Sequence, residues 1–512
     1  MTAAAGAGDP GADVVVPGSR ALPGWVAAAV TFLASGAVLV LEIAGLRLIA
    51  PYVGITLQTN TAVIGFALAA IAVGAWAGGA VADRRDPRGL LAPLLVAGGA
   101  LVVAVVPVVR FAGALLSGAA AGNVLLLAAV AVVLPAALLS AVPPMVVALQ
   151  LGSLRETGTV VGRLSGIGTL GGIAATFGTG FVLVAVLPTS VILVGTGLVV
   201  VATGVGLWVV LRRSAVAARL PGALLVATLA GTGLAVVAPQ PCQVETTYHC
   251  ARVVADPYRD GGRTLVLDTL RHSYVDLDDP THLEFGYVRA VASVTDTLGR
   301  PGEALSALHI GGGGLTLPRY LAEVRPGTTS RVLEVDAGVL AVDRDELGLE
   351  TSAQLRVDVG DARTGLTQES PGTRDLVVGD AFGGLAVPWQ LTTVEALQLV
   401  DTALADDGVY AVNLIDHGPL SFLRAELATM AEVFPHVALL ARAPVVAGQD
   451  GGNVVAVASR SPLDTEAIAA ALAGRALPWQ VVTGADLAAF VGDAPVLSDD
   501  FAPVDQLLTP YG

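Results

Sequence analysis

The chain has 512 residues, of which 54% are hydrophobic and 14% charged, against roughly 45–50% apolar and about 25% charged in a soluble globular domain. That imbalance argues against an ordinary soluble enzyme. Residues 1–241 hold 6 of the 43 acidic and 11 of the 28 basic residues, a net of +5, so the remainder carries −20 together with all six His. Every basic residue is Arg, which removes Schiff-base and lysine-dependent phosphate chemistry, and a domain at −20 lacks the basic footprint that nucleic acid needs.

Residues 1–21 are rich in Ala, Gly and Pro and read as a disordered tail without a signal peptide. From Trp25 the chain runs in apolar stretches long enough for a bilayer core of about 30 Å, which takes about 20 helical residues. Spans are expected near 25–47, 59–82, 90–109, 123–149, 165–187, 190–211 and 221–239, seven in all, with residues 89–150 able to hide a re-entrant piece. Small residues at Gly74–Gly79 and Gly166–Gly180 suit close helix packing where lipid offers no hydrophobic drive. Glu42, inside the first span, is a membrane-site candidate because an intramembrane carboxylate is costly; the competing expectation is that it snorkels or pairs with Arg47.

Arginines cluster at Arg84, Arg85 and Arg88, at Arg155 and Arg163, and at Arg212, Arg213 and Arg219. Positive-inside counting puts these three loops in the cytoplasm. With seven spans the N-terminus then lies inside and the soluble part outside.

Beyond Pro241 the reading is a small β-hairpin sheet over 242–304, from strands within Val244–Asp256 and Thr264–Leu277, then an α/β domain over 305–512. Short apolar strands at Leu305–Ile310, Arg331–Asp336, Leu355–Asp361, Asp375–Asp380, Gly408–Ile415, Val437–Ala441 and Val454–Ala458 alternate with helical stretches, which predicts a doubly wound, mostly parallel sheet. Ligands bind such sheets at the carboxyl ends of the strands. Gly311–Gly314 follows the first strand, Glu334 and Asp336 end the second, Asp361 with Ala362 the third and Asp380 the fourth. Glu334 lies 23 residues after Gly311, near the spacing at which an acid takes ribose hydroxyls. Carboxylates at the third and fourth strand ends would crowd a pyrophosphate but favour a cation. The pattern therefore points to a nucleoside with a sulfonium, an S-adenosylmethionine-type donor, and no metal.

These residues resemble the spermidine synthase family, in particular bacterial proteins that join a spermidine-synthase-like domain to membrane spans. The resemblance rests on Ser35-Gly36 with Glu42, Arg47 and Gly54, on Gly74–Gly79 ending at Asp83-Arg84-Arg85, and on Glu245–Tyr248, Leu267-Asp268, Gly311–Gly314, Glu334–Asp336, Gly360-Asp361 and Asp380. Val387-Pro388, Leu391–Thr393 with Glu395, and Ser498–Val504 extend it. It implies a class I methyltransferase-like fold in which Gly311, Gly312 and Gly313 shape the donor pocket with Asp336 and Ala362, Glu334 holds ribose and Asp361 meets adenine. Asp380 is then the carboxylate that takes a proton from the attacking amine, with Tyr248, Asp268 and Tyr287 on the substrate side. Implied too are decarboxylated S-adenosylmethionine or S-adenosylmethionine as donor, a small amine or polyamine acceptor and a homo-oligomer.

The sequence departs from the family pattern where Gly314 replaces the Asp that meets the donor's aminopropyl amine, and where Gly383 replaces a second Asp that anchors the polyamine. The tyrosine-bearing motif is also altered, so that Tyr287 or His282 stands in its place. Three readings stay open: a membrane-anchored aminopropyltransferase, a methyltransferase of unknown acceptor, and a transporter or sensor whose soluble domain binds a nucleoside without catalysis. Cys242 and Cys250, the only cysteines, span about 26 Å when extended and can pair within about 7 Å only across a turn; unpaired buried thiols are the alternative. A pair would suit an exterior domain, whereas a cytosolic donor favours an interior one.

Overall fold

The structure, a computed structural model, describes residues 22–118, 120–151, 157–211 and 222–509. The expected tail 1–21 and Arg155, Arg212, Arg213 and Arg219 lie outside the described residues. Packing divides the chain into two compact units, one of residues 22–53 and 58–240, the other of residues 54–57 and 241–509.

In the first unit, six helices are long and apolar enough to cross a membrane: Gly24–Val53, Leu57–Ala82, Leu91–Leu115, Ala121–Gln150, Thr157–Val186 and Thr189–Leu211. The seventh expected span is a shorter apolar helix, Gly222–Val237, of 16 residues. Among the described residues 89–150 form no re-entrant piece; Pro143 and Pro144 open the helix Val142–Gln150 after a single-residue break at Ala141, at positions where a missing N–H is tolerated. Small residues let backbones meet: a Cβ on Gly74 would lie 2.1 Å from the Ala137 carbonyl oxygen and one on Gly171 2.3 Å from that of Phe32.

The helix Gly222–Val237 runs beside Leu91–Leu115 in the same sense. Gly231 lies against Val103 and Ala104, and further along Arg110 donates through Nη1 to the Ala235 carbonyl at 2.9 Å. A buried guanidinium thus satisfies a carbonyl at the negative end of a helix. Glu42 is half-buried and forms no ion pair among the described residues. Its expected pairing with Arg47 is not seen, because five residues turn a helix by about 140° and point the two side chains to different faces.

The second unit begins with a four-stranded antiparallel sheet, β1 (Val244–Glu245), β2 (Cys250–Ala255), β3 (Gly262–Leu267) and β4 (Leu270–Asp276). Cys242 and Cys250 are joined, with Cα atoms 5.1 Å apart, across the turn that separates β1 from β2. The main sheet comprises β5 (Ser306–Ile310), β6 (Thr329–Glu334), β7 (Leu355–Val359), β8 (Arg374–Gly379), β9 (Leu404–Asp416), β10 (His436–Arg442), β11 (Gly452–Ser459) and β12 (Trp479–Val482). Its order is β12-β10-β11-β9-β8-β5-β6-β7. Strands β5 to β9 pair in parallel, while β11 runs antiparallel to both β9 and β10.

This is the doubly wound sheet expected from the strand spacing, in the methyltransferase-like form that the resemblance implies. Leu308, Ile310, Val377, Val378, Val412 and Leu414 are buried along the central strands, each burial contributing about 1.5–3 kcal/mol. Such continuous apolar runs belong to strands covered on both faces. The chain winds outward from β5 through β6 and β7, then returns to place β8 on the other side of β5. The crevice at that reversal is the switch point where open α/β sheets bind ligands.

Candidate active site

Two loops meet at the switch point. Gly311 follows β5 with φ +101°, and a Cβ there would lie 2.2 Å from the Asp380 carbonyl oxygen; only glycine lets the β5 loop pass the end of β8. The Asp380 amide in turn donates to the Ile310 carbonyl at 2.8 Å.

Glycine-loop amides are held from behind by acids. Glu334 accepts from the Gly312 amide at 2.7 Å through one oxygen and from the Asp336 amide at 2.8 Å through the other. Burial raises its carboxyl above the ordinary range, opposed by these two N–H groups. Asp343, on the helix Ala337–Glu346, accepts from the Gly314 amide at 3.1 Å, and burial pushes it up to about 7.

Asp380 ends β8. Its Oδ2 accepts from the Tyr287 hydroxyl at 3.0 Å and its Oδ1 from Asn413 Nδ2 at 2.9 Å; Asn413 is oriented by Asn453, which donates to its Oδ1 at 3.0 Å. Burial lifts the Asp380 carboxyl to about 6, while the two donors pull it down. A carboxylate in that range can exchange a proton near neutral pH, as general acid–base work requires. His272 nearby is pressed down to about 4 by burial, with a push from His249, so it is neutral.

A cavity of about 770 Å³ opens on this constellation, lined by Gly311, Gly312, Gly313, Asp380 and Tyr287 together with Asn413, Asn453, His272, Phe285 and Trp479. The remaining expected residues lie outside its wall. Glu334 touches the loop from behind. Asp336 is taken up by the hairpin sheet: it accepts from the Thr246 hydroxyl, from the Tyr248 amide at 3.3 Å and from the Gly338 amide at 2.9 Å. Asp361 is exposed and caps the helix Ala362–Leu366 by accepting from the Thr364 amide at 2.8 Å. Tyr248 is 47% exposed. Asp268 holds His249 Nδ1 at 2.9 Å and accepts from the Cys250 amide at 3.0 Å. His282 faces Glu284 at 3.4 Å rather than Asp380, so Tyr287 is the residue that meets the strand-end carboxylate. Among the described residues no cluster of His, Cys, Asp or Glu could hold a metal ion.

Sequence reasoning missed Asn413, Asn453 and Asp343. A lone amide within the apolar run Val409–Leu414 was a usable signal for Asn413. Asp343, in Asp343-Arg344-Asp345, reads as a solvated helix face and carries none.

No family model matches the chain. The polyamine aminopropyltransferase of Chromobacterium violaceum is 28% identical over 141 residues, 28% of this chain and 53% of that protein. That of Vibrio vulnificus is 32% identical over 129 residues, 25% of this chain and 42% of that protein. The chain thus spans about half the length of the curated relatives it matches. The crystal structure of a probable spermidine synthase from Corynebacterium glutamicum matches 52% of this chain and 98% of its own, at 29% identity and a TM-score of 0.47. The C-terminal part of the chain is similar to polyamine aminopropyltransferases.

Proposed function

We propose that the C-terminal domain moves an alkyl group from an S-adenosylmethionine-type sulfonium to an amine, as aminopropyltransferases do, and that the N-terminal helices anchor it in a membrane. The observation that carries this reading is Asp380, a carboxylate lifted to about 6 and held by Tyr287 and Asn413 on the wall of a cavity that the adjoining glycine loop also lines. The glycine loop, braced from behind by Glu334, forms the nucleoside's side of the cavity; acids behind the loop favour the sulfonium over a phosphate. The acceptor nitrogen bonds to the carbon beside the sulfonium, the C–S electron pair returns to sulfur, and Asp380 accepts the proton released.

Methyl transfer is the second reading, favoured by Gly314. Its φ is +71°, and a Cβ there would lie 2.3 Å from Ser273 Oγ, so this position cannot carry the acid that would hold an aminopropyl amine. Calorimetry on the purified full chain with decarboxylated S-adenosylmethionine and with S-adenosylmethionine separates the two. Tighter binding of the decarboxylated donor, with methylthioadenosine released when an amine is added, is the expected result. Preference for S-adenosylmethionine selects methyl transfer, and no nucleoside binding ends both readings.

Three observations support an extracytoplasmic position for this domain. The arginine loops put the N-terminus inside. The helix Gly222–Val237 follows Leu91–Leu115 as far as Arg110, in the sense of a seventh crossing. The Cys242–Cys250 pair belongs to oxidising surroundings. The donor must then arrive from that side. An alkaline phosphatase fused at Gly512 is expected to be active; an inactive phosphatase alongside a fluorescent cytoplasmic reporter at the same site would reverse the assignment.

A further inference from the structure

The acceptor end of the cavity has the wrong charge for a diamine. A polyamine acceptor needs a carboxylate for its far ammonium. The acids on this cavity wall are Asp380, committed to the reacting nitrogen, and Glu284, which already faces His282 at 3.4 Å. Gly383, beside Asp380, adds none, although a Cβ there would meet nothing within 4 Å, so no steric demand keeps an acid out.

Arginines line the wall instead. Arg442 is spoken for, paired with Asp450 at 2.9 Å and donating to the Gly451 carbonyl at 2.8 Å. Arg271 and Arg289 form no ion pair among the described residues. The Arg289 Nε is buried without a hydrogen-bond partner, and its Nη2 reaches only the Glu284 carbonyl, at 3.5 Å. The Arg271 guanidinium lies 5.2 Å from the centre of the Phe285 ring. That ring is 6.0 Å from Tyr287, whose hydroxyl bonds Asp380. Two aromatic rings thus separate a guanidinium that makes no ion pair among the described residues from the base. A buried donor with no acceptor is costly, and guanidinium groups match carboxylates through paired N–H bonds.

We propose that the acceptor is an amine whose far end is a carboxylate, held by Arg289 and Arg271 while the amine faces Asp380. This rests on the transferase reading above and names its substrate class. The chemistry is unchanged: the neutral amine forms the new C–N bond, the C–S bond breaks with its electrons going to sulfur, and the ammonium proton passes to Asp380.

The test uses the full chain in detergent with decarboxylated S-adenosylmethionine, whose binding is measured first, and two acceptors of matched length, 4-aminobutyrate and putrescine. Methylthioadenosine release is expected to give a kcat/KM about tenfold or more higher for 4-aminobutyrate. Arg289→Gln should raise its KM about 10–100-fold, the range for losing a hydrogen bond to a charged group, and Arg271→Gln should act in the same direction. Donor affinity should be unaffected in both, and Arg289→Lys, which keeps the charge, should retain the preference. With the donor bound, a preference for putrescine, turnover of neither acceptor, or a preference unmoved by both Gln variants would overturn the proposal and leave the donor assignment standing. Failure to bind the donor removes the transferase reading, and this proposal with it.

Discussion

Asp380→Asn lowers turnover by about 10²–10⁴-fold, the usual contribution of a positioned general base, while nucleoside binding is retained. The substitution keeps the shape of the side chain and removes its capacity to accept a proton, so methylthioadenosine release is the quantity to follow and calorimetry with the donor is the control. The pH profile adds a test that a merely structural Asp380 would fail. With the carboxyl at about 6, kcat/KM rises as pH passes upward through that value, because the ionised form is the base. Tyr287 and Asn413 donate to that ionised form and hold the value down. Tyr287→Phe removes one donor, so the acid limb moves to higher pH; a limb that stays in place would show that Asp380 is not the group being titrated.

The second large effect belongs to Glu334. Glu334→Ala leaves the buried amides of Gly312 and Asp336 without their acceptor, at about 1–3 kcal/mol for each unsatisfied group, so a loss of about 2–6 kcal/mol in stability is expected together with loss of donor binding. Glu334→Gln is the informative partner. Its amide oxygen can replace one carboxylate oxygen, but the NH₂ group then opposes the other backbone N–H. The variant should therefore fold, with a lowered melting temperature and weakened donor affinity. Thermal unfolding and calorimetry read both, and unaltered donor binding in a folded Glu334→Gln protein would remove Glu334 from the donor pocket.

Much of this architecture was legible because it is written in local patterns. Strands β5 to β11 are short apolar runs bounded by Gly, Pro and acids, and each lies within a few residues of its expected place. Strand β12 escaped because Trp479–Val482 is four residues long, too short for a period to declare itself. The strand-end acids could be found from sequence because the end of a parallel strand is where a ligand sits. Their partners could not: Asn413 reaches Asp380 across 33 positions and Asp343 reaches Gly314 across 29, and neither pairing leaves a trace in spacing. Asp336 shows the opposite failure. It occupies a ligand-like position, yet Thr246, Tyr248 and Gly338 engage its carboxylate, because the hairpin sheet needs an anchor on the main sheet at that point. In the first unit, the length of the apolar stretch located Gly222–Val237, but its direction follows from contacts to Gly231 and Arg110 that only the folded helices bring together.

The glycine loop carries a final consequence, seen by counting its amides. The Gly311 N–H goes to the Leu333 carbonyl, that of Gly312 to Glu334 and that of Gly314 to Asp343. Three of four donors are occupied before any ligand arrives, two of them by acids. A glycine turn that would elsewhere greet a phosphate with free N–H groups here has most of them turned to acceptors of its own, two of them acids. On the proposed reading the loop would sort adenosine compounds by sign, and ATP and dinucleotides are expected to bind far more weakly than an adenosine that carries a positive charge.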